Sequence, residues 1–330
     1  MFPLAFFNPN YERGACALDD LPLNSSGCSR KPTLTNSGQI FESSDVQNTA
    51  TTLLTRPRRW LRTMNRSESD LDARNRSTLR TRSKNWLRTL IYPGLDLHTR
   101  NRASLCVFWK TGRRDVLDAG CGNGYFSWLA YQSGARVLAM SFDSEQIEKA
   151  RGFLVRYRGA DEARLQFAKS DLNNLRSMDR KFDEIICYET LEHIRHDKEV
   201  LTEFYRILST DGVLHLCCPY PKHPYHQASD LDLNEAGGHV RAGYTKEDYV
   251  ALLKPIGYQI DTFVGIGSPG LCYADTLLRA VRHRLGDWWA LPLFPFVLPF
   301  VWLSKFNPSV PFSLYVRAIK PPAVSKTLAS

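Results

Sequence analysis

The chain has 330 residues, 43% of them hydrophobic, and a formal net charge of +9. That length and apolar content allow a sizeable packed core in one large or two small domains, and exclude a chain too polar to fold. No apolar run reaches the roughly 20 residues of a membrane-spanning helix, and the N-terminus lacks a basic segment followed by an apolar one, which argues against a secretory signal.

The charge is unevenly placed. Arg56 to Arg102 holds 13 Lys and Arg against 4 Asp and Glu, whereas Thr111 to the C-terminus holds 26 against 25. The basic character therefore belongs to a leader, residues 1–83, whose Ser, Thr, Asn and Arg content and lack of period predict disorder. Met64 within it offers an alternative start. Apolar residues return over 84–110, with Trp86, Leu87, Leu90, Ile91, Leu105, Val107, Phe108 and Trp109, interrupted at Pro93-Gly94. Eight cysteines without a C-x-x-C pair, several in predicted strands, suggest reduced thiols and a cytoplasmic setting.

From there strand and helix alternate, which predicts a parallel sheet. Strands are expected at 114–118, 136–142, 165–169, 182–188, 213–218, 258–264 and 312–319. Helices are expected after Gly124, at 144–157, at 199–208 and from a Thr245 cap through Leu253. Ile185, Ile186 and Cys187 form a run apolar on both faces, the mark of a strand covered on both sides.

The most informative stretch is Val116-Leu117-Asp118-Ala119-Gly120-Cys121-Gly122-Asn123-Gly124. A strand ends in an acid and runs into a glycine turn, with Phe126, Leu129 and Ala130 at helical spacing beyond. Glycines there let backbone approach a ligand. The spacing is G-x-G-x-G, and Ser127 stands where a dinucleotide fingerprint has its third glycine. The pattern resembles motif I of the class I S-adenosylmethionine (SAM) methyltransferases. A second segment, Tyr188-Glu189-Thr190-Leu191-Glu192-His193-Ile194, resembles the E-x-L-E-H of the ubiquinone-biosynthesis-like small-molecule methyltransferases.

This resemblance implies an α/β, Rossmann-like fold over 84–330, with a seven-stranded, mostly parallel sheet and an antiparallel last strand. It implies a lid at 84–110, with Tyr92, His98 and Arg100 as candidates, and an apolar insertion at 266–311. SAM is the implied cofactor. Asp118, Gly120, Cys121, Gly122 and Gly124 would form its turn. Where the family places an acid for the ribose hydroxyls stands Ser141; Asp143, two residues on and on the same face of a strand, is expected to take the role with Ser141 assisting, or else to cap the next helix. Asp171 and Leu172 would meet the adenine, and Tyr188 and Glu189 the methionine end.

His193 is the candidate general base, since imidazole titrates near neutral pH. Glu189, Glu192, His193 and the distant His239 also form a possible divalent-ion set, or only a pocket wall; no metal ligand is assigned. The implied acceptor is a small molecule, a lipid or a glycan, methylated at oxygen. An RNA 2'-O-methyltransferase using a divalent metal and a non-catalytic SAM-binding protein are the alternatives, and nucleic acid is the less favoured partner. The Leu291–Leu303 segment is apolar but broken by three prolines. With Trp288, Trp289 and Trp302 flanking it and Arg279, Arg282 and Arg284 preceding it, 288–303 reads as a peripheral contact with the inner membrane face, or as an internal cover or dimer surface.

Overall fold

A strand that is apolar on both faces has to lie between two layers, and the central strands do so. The computed structural model describes residues 89, 91–226, 231, 238–304 and 306–322. The leader 1–83, with Met64, and the apolar residues Trp86, Leu87 and Leu90 lie outside the described residues.

Seven strands form one sheet: β1 (Asp115–Ala119), β2 (Arg136–Ser141), β3 (Leu165–Lys169), β4 (Phe182–Tyr188), β5 (Leu208–Pro219), β6 (Gln259–Ile266) and β7 (Ser313–Ile319). Their order is β3-β2-β1-β4-β5-β7-β6. β3 to β5 pair in parallel, and β7 runs antiparallel to both its neighbours. This is the expected seven-stranded, mostly parallel Rossmann-like sheet with an antiparallel last strand. Alternation divides the core. Leu117, Ile185, Cys187, Leu214 and Leu216 face one layer, while Val116, Ile186, Tyr188 and Cys217 face the other. Each fully buried Leu, Ile or Val contributes about 1.5–3 kcal/mol.

The helices are α1 (Leu97–Arg102), α2 (Tyr125–Gln132), α3 (Ser144–Arg151), α4 (Asp197–Ile207), α5 (Lys246–Ile256), α6 (Pro269–Leu285), α7 (Asp287–Val297) and α8 (Pro299–Leu303). Thr245 caps α5 in a full capping box with Asp248, and Gly257, in the left-handed region, ends it. Two expectations are corrected. The helix expected over 144–157 is α-helical only to Arg151 and continues as a wider π turn, Gly152–Tyr157. The strand expected at 213–218 begins at Leu208, because Leu208 pairs with Phe182 before an irregularity shifts the register.

A third correction concerns the proline-rich segment. Pro292 and Pro295 sit inside α7, and the chain breaks only at Leu298, before Pro299. Both prolines face outward, so the carbonyls they leave unbonded can meet solvent. Helices α6, α7 and α8 share a small core of Leu271, Leu278, Ala290, Phe294, Val297 and Val301. Among the described residues no helix is long and apolar enough to cross a membrane.

Candidate active site

The glycine turn leaves β1 between β2 and β4, where parallel strands open a crevice at their carboxyl ends. The amides of Gly120 and Cys121 both donate to the Met140 carbonyl, which pins the turn to β2. Gly120 has a φ of +88°, and a Cβ there would lie 2.1 Å from Thr190 Oγ1. Only glycine lets the turn lie this close to the β4 tip. Gly122 has a φ of +52°, but a Cβ on it would meet only Gln146 Oε1, at 3.8 Å. A Cβ there would make only ordinary van der Waals contact. Gly124 is the left-handed N-cap residue of α2. Cys121 is buried against Ala139 and Ile147.

Asp118 lies under this turn, 2% exposed. Burial pushes its carboxyl up to about 6, against the opposing hydrogen bond that Ser127 donates. Asp143 caps α3, its Oδ1 accepting from the amides of Glu145 and Gln146 at 2.8 and 3.2 Å. The buried Ser141 hydroxyl accepts from the Asp143 amide. Asp171 caps the 3-10 turn Leu172–Ser177 through Oδ1, and Leu172 is buried behind it. Both acids have the capping role; each uses one oxygen for it in the hydrogen bonds formed. Phe142, exposed at the β2 tip, was not singled out by the sequence.

Tyr188 departs from expectation. Its side chain packs in the core against Phe126 and Tyr315, and its hydroxyl accepts from Trp109 Nε1 at 3.1 Å. Alternation along β4 turns that side chain away from the site and leaves the main chain there. Glu189 follows with a φ of +48°, unusual for a non-glycine residue. Arg102 Nη2 holds its carboxylate at 2.7 Å, and the Ser313 hydroxyl donates to it at 3.1 Å.

Glu189 also lines a cavity of about 450 Å³ whose other walls are α1, the loop after β5 and α6, including His98, Arg102, His226, Asp275 and Arg279. The glycine turn packs against Thr190, and Glu189, the residue before it, lines the cavity. Of the lid candidates, Tyr92 reaches the turn, its hydroxyl donating to the Asn123 carbonyl at 3.2 Å. His98 stacks on Phe312 at the cavity wall. Arg100 instead donates to the carbonyls of Ile91, Tyr92 and Gly94 and braces the segment before α1. Arg102 was hidden in the basic run, where nothing marks one arginine as buried. The α6 residues had no local signal beyond the i,i+4 pair of Asp275 and Arg279.

Glu192, His193 and His239 bring one ligand atom each to within 4.8 Å of one another. Glu192 is wholly buried, neither carboxylate oxygen has a hydrogen-bond partner, and burial pushes its pKa up to about 8. The Gly238 carbonyl lies 2.9 Å from His193 Nδ1. A carbonyl only accepts, so Nδ1 is the donor in this contact. Glu189 is turned to Arg102, so the structure brings together three of the four residues considered as an ion set.

Residues 117–216 match the model of a methyltransferase domain family. With the glycine turn and the strand order, the match shows that this core carries a methyltransferase domain of the class I SAM-dependent type. The chain is 33% identical over 99 residues to a malonyl-[acyl-carrier protein] O-methyltransferase of Hamiltonella defensa, covering 30% of this chain and 35% of the relative. It is 32% identical over 109 residues to a ubiquinone biosynthesis O-methyltransferase of Haemophilus ducreyi, covering 31% and 44%. The methyltransferase thus spans less than half the length of these curated relatives. SAM is the cofactor of this class, and a Cβ at Gly122 in the turn would meet nothing closer than ordinary contact.

Proposed function

We propose that the protein transfers the SAM methyl group to an oxygen of a small-molecule, lipid or glycan acceptor. The observation that carries this reading is that adjacent residues at the β4 tip, Thr190 and Glu189, pack against the glycine turn and line the cavity respectively. When bound, SAM supplies an electrophilic methyl on a sulfonium. The chain's part is largely positioning and exclusion of water. In this reading Gly120, Cys121, Gly122 and Gly124 admit the cofactor, Asp118 balances its ammonium, Asp143 with Ser141 takes the ribose, Asp171 and Leu172 take the adenine, and Glu189 borders the methionine end. His193, through Nε2, takes the acceptor's proton. The names of the relatives, both O-methyltransferases, support oxygen as the acceptor atom.

The orphaned carboxylate of Glu192 favours a second role for His193. One carboxylate and two imidazoles are a donor set that suits a divalent ion such as zinc or manganese. With the ion bound, Glu192, His193 and His239 would hold it, and it would polarise an acceptor hydroxyl. Chelation followed by metal return separates the two roles: a base needs no ion. The reaction is tested by transfer of labelled methyl from SAM into a cell extract resolved into small-molecule, lipid, glycan, RNA and protein fractions. Label in the lipid, glycan or small-molecule fraction is expected; label confined to RNA or protein, or none, overturns the reading.

Two predictions test the cofactor residues. Asp143→Asn keeps an oxygen for the α3 cap but loses the charge, so SAM affinity should fall by about 1.5–3 kcal/mol at nearly unchanged stability. Asp143→Ala should lose the cap as well, about 1 kcal/mol of stability. Calorimetry and thermal melts read the two effects; if Ser141→Ala weakens SAM and Asp143→Asn does not, the ribose assignment moves to Ser141.

The second concerns pH. Asp118 in the fold keeps its proton up to about pH 6, whereas unfolded it ionises near 3.8. Its contribution to the stability of the ligand-free fold is therefore complete below pH 3.8 and lost as pH rises through 6. Binding has the opposite sign, because the ammonium favours the anion. SAM affinity should fall about tenfold per pH unit below 6 and level off above it. Asp118→Asn should bind more weakly at pH 7.5 and lose that slope; a wild-type affinity flat from pH 5 to 7 would remove Asp118 from the ammonium site.

A further inference from the structure

Helix α7 and the turn of α8 after it are apolar on both sides. Ala290, Phe294 and Val297 recur at helical spacing and pack inward on α6. The opposite side carries Trp288, Trp289, Phe296, Phe300, Trp302 and Leu303, between 41% and 79% exposed. Residues 288–303 contain no charged side chain. A helix apolar all round is stable in water only if something covers its outer side.

The surroundings indicate what does. Tryptophans stand at both ends of the apolar run, the position of an amphipathic ring at a membrane interface. The α6 turn that leads into it exposes Arg282, His283 and Arg284, and the adjacent acid, Asp287, is paired with Arg282 at 2.8 Å. Elsewhere in the sequence, Arg56 to Arg102 adds a large excess of positive charge. Neither α7 nor α8 is long enough to span. An apolar face edged by tryptophan and arginine is the chemistry of a segment lying in the plane of an anionic bilayer.

We propose that α7 and α8 seat this protein on an anionic lipid bilayer, and that the acceptor enters the active-site cavity from the lipid phase. The inference narrows the proposed function to a lipophilic acceptor and rests on that reading. Its structural link is α6. Cys272, Asp275, Thr276 and Arg279 on this helix line the cavity, while Tyr273 and Leu277 between them are exposed and apolar. One helix thus lines the cavity, carries exposed Tyr273 and Leu277, and packs against α7 through Leu271, Ala274 and Leu278.

The test uses the full chain with phosphatidylcholine vesicles, with and without phosphatidylglycerol. The wild type should sediment with the anionic vesicles, and more weakly with phosphatidylcholine alone. Phe296→Asp with Trp302→Asp should weaken vesicle binding at least tenfold while SAM affinity, read by calorimetry, stays unchanged. Phe294 is not a useful target, because it points into the α6–α8 core. Three results would overturn the proposal: a wild type that remains in the supernatant, a double variant that sediments like the wild type, or a dimer in vesicle-free ultracentrifugation that the double variant dissolves while vesicles bind neither protein. Vesicle binding without SAM binding would leave the docking surface standing and defeat the proposed function alone.

Discussion

Gly122→Val should abolish SAM binding, a loss of at least about 100-fold or 2.7 kcal/mol, in a protein that still folds. Two observations set this apart from an ordinary glycine replacement. The Cβ at 122 meets nothing closer than Gln146 Oε1 at 3.8 Å, so the fold itself has room for the side chain. That same room is what the proposed cofactor site would use. The left-handed backbone at 122 adds a strain of about 1–2 kcal/mol, small against the stability of a domain this size. Gly120→Val should behave differently, because its side chain would collide with Thr190 and disturb the β4 tip. Calorimetry with SAM and circular dichroism on both variants check this. A folded Gly122→Val with wild-type affinity would move the cofactor away from the turn.

Arg114→Met should cost about 3–5 kcal/mol of stability without touching the site. Glu184 lies in the middle of β4 with no solvent exposure. It accepts from Arg114 Nε and from the Lys110 amide, and His215 Nε2 lies 3.1 Å away. Despite burial, these partners hold its carboxyl below the usual range. Removing Arg114 leaves a buried anion without its arginine partner. Adding Glu184→Gln should recover part of the loss, since it removes the uncompensated charge. Thermal melting should show a drop of roughly 10 °C for the single variant and less for the double. Equal losses in both would mean that packing around Arg114, not its charge, matters.

The sequence by itself determined the sheet and the turn. Alternation along Val116–Ala119 and the double-sided run Ile185–Cys187 are local facts, because side chains two residues apart share a strand face. The glycines at 120, 122 and 124, the Asp143 cap and the Thr245 cap are equally local, set by backbone angles and by donors within three residues. The antiparallel direction of β7 was legible only through the resemblance to the class I methyltransferases, since nothing local to 312–319 sets the direction of a strand. Tertiary structure decided everything that depends on which distant residue arrives. Glu189 is held by Arg102 rather than joining Glu192, and His239 meets the His193 ring edge to face. Tyr188 turns into the core because the register of β4 against β1 and β5 sets its face. The outward prolines of α7, and the choice of Phe294 inside and Phe296 outside, follow from how α6 packs against it. Local chemistry fixes angles and periodicity, whereas long-range pairing is chosen by burial and charge once the elements meet.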